Sequence, residues 1–500
     1  MKIHFKIAHK LVLLIMAMCL LPLFSGAQWS VPVNISANSR NAAMNENMGP
    51  CLAANGDTLH VVWSDITTQG SAIYYTRSVD TGHTWSAPVS ITDTNGKAYH
   101  PAIAVNGSNI HVVWWDSLNE VTNFANTGNS SMYKHSLDGG NTWSARVVID
   151  SNTVYWPGVA VAGSTVLISL DKGIFDSTII WLTKSLDDGL NFGPQQRIST
   201  RTGRGRSEDQ GMATDGHYIH ICWNDERPPS TSQRILKTYY RRSQDMGLTW
   251  DPEIVLTDTT AYSPMVFIDS NKIEVAIGYS GNNNAGFLNS WIGQSMDSGS
   301  KWAAVQQVTT NTASGEAEAY PFMVCDASSL YMVSHTFGVN PWRVFFTQSA
   351  DGGATWSSQI ALGTTDGTAF IALSCPALHV VWPDSGKIYY TRNPTGNAKC
   401  TASIPDTTTG IISTQPLNTS VSICPNPANG NIIVSYGHQA TDVGFTLTDM
   451  AGRNVLDATL NNASGKQNIN AEALLNGVYF WEAKAGASLL GKGKIVLINK

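Results

Sequence analysis

The chain has 500 residues, a formal net charge of −6, 14% charged residues, 43 Gly and 16 Trp. The acidic balance and the lack of a basic stripe exclude nucleic acid as a partner, and past the N-terminus no apolar run is long enough for a transmembrane anchor. A long chain rich in Gly and Trp and poor in charge suits a large all-β protein.

The first element is a leader. Lys2, Lys6 and Lys10 precede the apolar run Leu11–Phe24, and Ser25, Gly26 and Ala27 offer small residues for cleavage. Residues 1–27 therefore read as a secretory signal peptide.

Residues 28–395 are repetitive. Six copies of Ser-x-Asp-x-Gly-x-x-Trp, or a close variant, lie at Ser78–Trp85, Ser136–Trp143, Ser185–Phe192, Ser243–Trp250, Ser295–Trp302 and Ser349–Trp356. This is turn chemistry. The carboxylates of Asp80, Asp138, Asp187, Asp245, Asp297 and Asp351 accept bonds from the following N–H groups. The Gly supplies a positive φ, and the Trp covers the turn. Each copy follows an alternating run such as IYYTRS (Ile73–Ser78), which follows LHVVW (Leu59–Trp63) or a relative, which follows a short apolar run such as PAIAVNG from Pro101. A fourth run, such as APVSIT (Ala87–Thr92), comes after. Four strands in about fifty residues describe one propeller blade, and a fixed period describes a ring of them.

First strands start near Pro50, Pro101, Pro157, Gln210, Pro264, Pro321 and Phe370, which predicts seven blades, with six as the alternative set by the number of turn motifs. The seventh unit has no turn motif and no fourth strand. WSVPVNIS (Trp29–Ser36) matches TWSAPVSIT (Thr84–Thr92), so the N-terminal strand is expected to complete the last blade and close the ring.

Residues 396–422 are rich in Thr, Ser and Pro and read as a linker. Residues 423–500 alternate strands with D-x-x-G and N-G turns, as in a small β-sandwich. Of the cysteines past the leader, Cys51, Cys222, Cys325 and Cys375 sit in strand patterns and are expected as buried thiols, whereas Cys400 and Cys424 bracket the linker and are able to pair. No Cys-x-x-Cys or His-rich spacing marks a metal site, and no cofactor is expected.

These motifs carry two resemblances. The octapeptide resembles the Asp box of the sialidase (BNR-repeat) superfamily, in which the boxes are structural and lie opposite the active site. The C-terminal segment is similar to the type A sorting domain of the type IX secretion system, through Pro425, Asn426 and Pro427, the Asp449–Arg453 turn, Gly477-Val478-Tyr479 and the Lys-flanked last strand. Where that family carries an aromatic before Pro-Asn-Pro, this chain has Cys424. The resemblance implies partnership with the secretion machinery, export across both membranes of a Gram-negative bacterium, and a secreted or surface-attached product. Sialidases have six blades and a Phe/Tyr-Arg-Ile-Pro motif before the first box. Here that region reads SRNAAMNENMGPCLA (Ser39–Ala53), so the resemblance does not extend to exo-sialidase activity.

Propeller geometry puts function on the face away from the boxes, where the strand 2–3 loops and the blade-to-blade connections meet. Asp65, Asp116, Asp171, Asp225 and Asp384 recur there after the second strand, a pattern that loop capping also produces. The connections add Tyr99, His100, Trp156, Glu316, Glu318 and Tyr320. In blade 4, Arg204, Arg206, Glu208 and Asp209 are expected beside Asp225, Glu226 and Arg227. Arginines and carboxylates in one neighbourhood suit an anionic sugar and a proton transfer, and equally a self-neutralising surface network. The ligand-binding set is then Arg204, Arg206, Glu208, Asp209, Arg227 and Trp156; the catalytic candidates are Asp225, Glu226, His100 and Tyr320. Two classes stay open: a glycan-active hydrolase or polysaccharide lyase, and a non-catalytic module that binds extracellular glycan or a surface protein.

Overall fold

The computed structural model describes residues 29–394 and 422–497, except 38, 40, 45–48, 68–69, 94–96, 118–128, 152–153, 175–176, 201–206, 227–235, 258–259, 270–273, 283–287, 311–316, 327–328, 339, 375, 425–430, 437–441, 450–452, 462–464 and 487. Residues 1–28 and 395–421 fall outside this set, and with them the expected leader and all of the expected linker but Ser422, as do Pro425, Asn426, Pro427 and Cys375. No helix among the described residues is long and apolar enough to cross a membrane. The chain forms two compact units.

The N-terminal unit is a seven-bladed propeller, so the six-blade alternative falls. Blade 2 shows the pattern: Ala98–Asn106, Asn109–Ser117, Asn129–Ser136 and Val147–Asp150 pair antiparallel in that order. Blades 3 to 6 repeat it. In blade 7, Val33–Asn34 pairs with Lys387–Asn393, through Val33 opposite Tyr390 and Asn34 opposite Tyr389. First strands pack on first strands around the ring, and Phe370–Ser374 closes onto Leu52–Asn55. All seven line a central cavity of about 400 Å³, walled mostly by Val, Ile, Met, Phe and Ala.

Blade 1 departs from the simple repeat. Its first strand is split, with Ala42–Ala43 pairing to Ser64 and Asp65 while Leu52–Asn55 pairs further along the same strand. Six residues of sequence separate Ala43 from Pro50 where His100 alone separates Tyr99 from Pro101, and a strand of two alanines leaves no periodicity to read.

Each box works as its residue types demand. In blade 2, Ser136 Oγ donates to Asp138 Oδ1 at 2.8 Å and accepts the Gly140 N–H at 2.8 Å. Thr142 gives its N–H to Oδ1 at 2.9 Å and its hydroxyl to Oδ2 at 2.6 Å. The bonds from Thr142, with that from Ser136, hold the Asp138 carboxyl down at about 2. The box also grips the strand 1–2 turn of its own blade, Gly139 N–H reaching Ser108 O at 2.9 Å. These turns thus share one face.

Blades are joined by aromatics from the boxes. Trp143 meets Tyr75 of blade 1 edge-on, with centroids 5.1 Å apart, and Trp302 meets Tyr240 of blade 4 at 4.8 Å. The Tyr hydroxyls sit under the next box glycine: a Cβ on Gly140 would come within 2.2 Å of Tyr75 Oη. Only glycine fits there, for contact as well as for φ. Before four of the boxes the preceding residue adds a bond to the next blade: Arg77 to Asn141, Lys184 Nζ to Met246 O at 2.7 Å, Arg242 Nη1 to Ser298 O at 2.6 Å and Gln294 to Gly352 O.

The C-terminal unit has two sheets. One orders Ser422–Cys424, Asn431–Tyr436 and Gly465–Asn470; the other orders Asn454–Leu460, Val443–Thr448, Gly477–Ala485 and Ser488–Leu497. Ile432, Val434, Phe445, Leu447, Ile469 and Ile495 form its core. Asp449 accepts from Arg453 N–H at 3.0 Å and Nε at 2.8 Å, which closes the expected turn.

Cys51 and Cys222 are fully buried, as expected, and Cys325 is only half-buried. Cys325 stands near the end of Ala317–Asp326, where the strand leaves the core.

Candidate functional site

The face away from the boxes is organised by one repeated irregularity. The first strand carries a bulge between Tyr99 and Ala102, Tyr155 and Gly158, Glu208 and Gly211, Tyr262 and Met265, and Ala319 and Phe322. The second bulge residue is a proline in four of these blades (Pro101, Pro157, Pro264, Pro321), which suits a position with no ladder bond to make. The first bulge residue is His100 (φ 51°), Trp156 (φ 35°), Ser263 (φ 50°) or Tyr320 (φ 56°). Gly49 (φ 65°) takes the place in blade 1 and Asp209 in blade 4. Positive φ costs a bulky side chain energy, so the fold must hold it there. At Tyr320 the hold is visible: its N–H donates to Ser280 Oγ of the neighbouring blade at 2.9 Å.

His100, Trp156, Asp209 and Tyr320 are thus one register position in four blades, at the rim of the channel. Ser263 belongs with them. The sequence reading missed it because the turn between alternation and bulge carries no motif. Glu208 stands one residue earlier, level with Tyr99, Tyr155 and Tyr262.

His100 is flanked by Trp115 at 5.8 Å and Trp156 at 6.4 Å, and Tyr99 lies 5.5 Å from Trp115. The residue is half-buried, and desolvation lowers its pKa to about 4. It is neutral at pH 7. The indole N–H of Trp115 is buried and meets no acceptor among the described residues.

On blade 6, Tyr320 stacks on His335 with centroids 5.2 Å apart and planes 3° from parallel. Trp342 and Phe337 complete the group, 6.1 Å and 6.4 Å from His335. His335 is buried, and desolvation lowers its pKa to about 4. Glu318, next but one to Tyr320, is buried between Ser334 and Gln359 Nε2 (2.8 Å); burial raises its pKa.

In blade 4, Asp225 is fully buried and accepts the Trp223 indole N–H at 3.1 Å, and Glu226 is 8% exposed. Arg204, Arg206 and Arg227 lie outside the described residues, as does Glu316, and only the backbone of Glu208 and Asp209 is described. Of the recurrent acids, Asp116 is bridged to Arg146 at 3.2 Å, Asp65 accepts from Ser39, and Asp384 accepts from Thr364 at 2.7 Å. These three are tied into the scaffold. Among the described residues no group of three or more His, Cys, Asp or Glu is placed to hold a metal.

The C-terminal segment matches a family model, the secretion system C-terminal sorting domain, over residues 422–498. The tail is a sorting domain. It marks the chain for type IX secretion to the cell surface or the extracellular space. No curated protein matches the chain. Among solved structures, an ulvan lyase of polysaccharide lyase family PL25 aligns at 12% identity, covering 72% of this chain and 95% of that one, with a TM-score of 0.51. A Hadza microbial sialidase aligns at 15% identity over 69% of this chain and 65% of that one, TM-score 0.42. A Trypanosoma rangeli sialidase aligns at 9% identity over 94% and 89%, TM-score 0.41. At these identities the ulvan lyase shows the fold.

Proposed function

We propose that the exported propeller binds an extracellular polysaccharide across the face that carries the bulges. The observation behind this reading is the bulge rim itself, where strained backbone holds His100, Trp156 and Tyr320 at the mouth of the channel. Aromatic faces with a neutral imidazole and a spare indole N–H suit sugar rings, whose C–H faces stack while their hydroxyls hydrogen-bond.

A lyase is the catalytic version of this reading. The ulvan lyase whose fold this chain shares was seen bound to -[GlcA(1-4)Rha3S]-, an acidic repeat. Such a reaction removes a proton next to a uronate carboxylate and expels the sugar oxygen beyond it. His100 is the base this chain offers: neutral when free, it becomes more basic once a carboxylate binds nearby. The blade-4 arginines Arg204, Arg206 and Arg227 would neutralise the uronate.

A panel of acidic and neutral polysaccharides tests both. Binding with no new reducing ends means a lectin-like module. New ends with ultraviolet absorbance of an unsaturated uronate mean a lyase, and new ends without it a hydrolase. A protein that binds no glycan, but pulls a surface protein, overturns the reading.

A further inference from the structure

Between blades 6 and 7 the rim opens into a half-open cavity of about 120 Å³, lined by Tyr320, His335, Phe337, Trp342, Gly367 and Thr368. No motif marks it. Its walls come from the bulge, the end of one strand, the start of the next and the connection to blade 7. We propose that this cavity is a subsite for one neutral sugar ring of the bound glycan, stacked on its aromatic wall with the imidazole of His335 as polar partner. The proposal rests on the polysaccharide-binding reading and narrows it.

Three features select that ligand. The size admits part of a single ring: about 120 Å³ is less than the ~150 Å³ that takes one benzene, so one edge of the sugar enters and the rest lies in the open mouth. The wall holds four aromatic or imidazole rings and, among the described residues, no charged side chain. A sulfate or uronate would lose its hydration there with no cation to replace it, and an ammonium would find π faces but no carboxylate. Lastly, His335 Nδ1 is buried and has no hydrogen-bond partner among the described residues. A buried polar atom left in this way is costly, and a half-turn of the ring, which keeps its stack on Tyr320, would bring the nitrogen round to meet a hydroxyl of the ligand, whether it donates or accepts. Desolvation keeps the ring neutral at pH 7, which leaves both roles available.

Methyl glycosides of neutral hexoses and 6-deoxyhexoses are the probes, titrated into the full-length secreted protein and followed through the Trp indole resonances. A saturable shift is expected, with a Kd on the order of 1 mM for a dozen heavy atoms. Trp342→Ala should weaken it about tenfold or more, and Trp342→Phe should restore most of it, because the stacking face returns. A matching melting temperature for the two variants excludes a folding effect. Equal binding in Trp342→Ala, tighter binding of methyl glucuronide, or a preference for choline would overturn the subsite. If polysaccharide binding by the wild type persists untouched in Trp342→Ala, the subsite fails and the wider reading stands. If the wild type binds no polysaccharide and no methyl glycoside, both fail.

Discussion

Trp29 meets Phe346 edge-on, with ring centroids 4.9 Å apart, in the place that Trp85 takes against Tyr390 and Trp143 against Tyr75. The seventh blade has no box, so the N-terminal strand of the propeller supplies the missing tryptophan as well as the missing strand. Ser30 N–H donates to Arg392 O at 2.8 Å, as Ser86 N–H does to Arg77 O. Trp29→Ala should therefore cost about 2–3 kcal/mol, below the range of about 3–5 kcal/mol for a fully buried Trp because Trp29 is half-buried. Chemical denaturation measures it. A variant as stable as wild type would mean that the ring closes without this contact.

The repeats also act as an internal comparison. His60 Nδ1 and Tyr75 Oη lie 2.7 Å apart, and His111–Tyr133, His220–Tyr240 and His379–Tyr390 repeat the pair at 2.7 to 2.8 Å. In blade 3 both positions are apolar, Leu167 and Leu182; in blade 5 they are Ala276 and Ile292. The two change together because either polar group alone would be buried without its partner, at about 1–3 kcal/mol. His60→Leu and Tyr75→Leu should each destabilise, and the double variant should be more stable than the sum by about 1 kcal/mol or more. Strict additivity in the double-mutant cycle would refute the coupling.

Acid should unfold the propeller in two stages. Desolvation holds His60, His111, His220 and His379 at about 4, whereas an unburied His titrates near 6.5. Between about pH 6.5 and 4 the unfolded chain binds more protons, so stability is full above that window and falls as pH drops through it. Asp138, Asp245 and Asp351, lowered from 3.8 to about 2 chiefly by bonds from Thr142, Thr249 and Thr355, add a second loss from about pH 4 down to 2. A melting temperature that stays flat from pH 7 to pH 4 would contradict the first stage.

Much of this fold is written in short-range chemistry. The box, the LHVVW strand and the match of Trp29–Ser36 to Thr84–Thr92 each carry their own turn, period or composition, so seven blades and the closure were readable. The site was readable only in pieces. His100, Trp156, Asp209 and Tyr320 look unrelated in sequence, and a bulge at each shifts the register that makes them equivalent. Trp115, His335, Phe337 and Trp342 went unnoticed because alternation labels them strand residues. Only the pairing of strands puts them beside the rim.

Export and folding should separate. The sorting domain has its own core, built on Phe445, Leu447 and Ile495, so removing residues 422–500 should leave the propeller folded and held in the periplasm. Fractionation of cells with the truncated gene reads this directly. Truncated protein in the medium at wild-type levels would show that export does not need the tail.

The two faces of the propeller should respond differently to mutation. His100→Ala and Trp156→Ala keep the Cβ and with it the positive-φ strain, and each removes a half-buried ring, so stability should fall by up to about 2–3 kcal/mol, as for Trp29. Polysaccharide affinity should fall about tenfold or more in each, the loss expected when a stacking or hydrogen-bonding group leaves a glycan site. Arg206→Ala with Arg227→Ala should weaken acidic polysaccharides and spare neutral ones, since the guanidinium forks serve only the anion. Asp138→Ala on the box face should spare affinity: it deletes the acceptor for Thr142 and Ser136, and the melting temperature should drop while affinity holds below the melt. Calorimetric titration beside thermal denaturation gives both readouts on one sample. If the rim variants keep full affinity while Asp138→Ala loses it, the binding face is the one with the boxes.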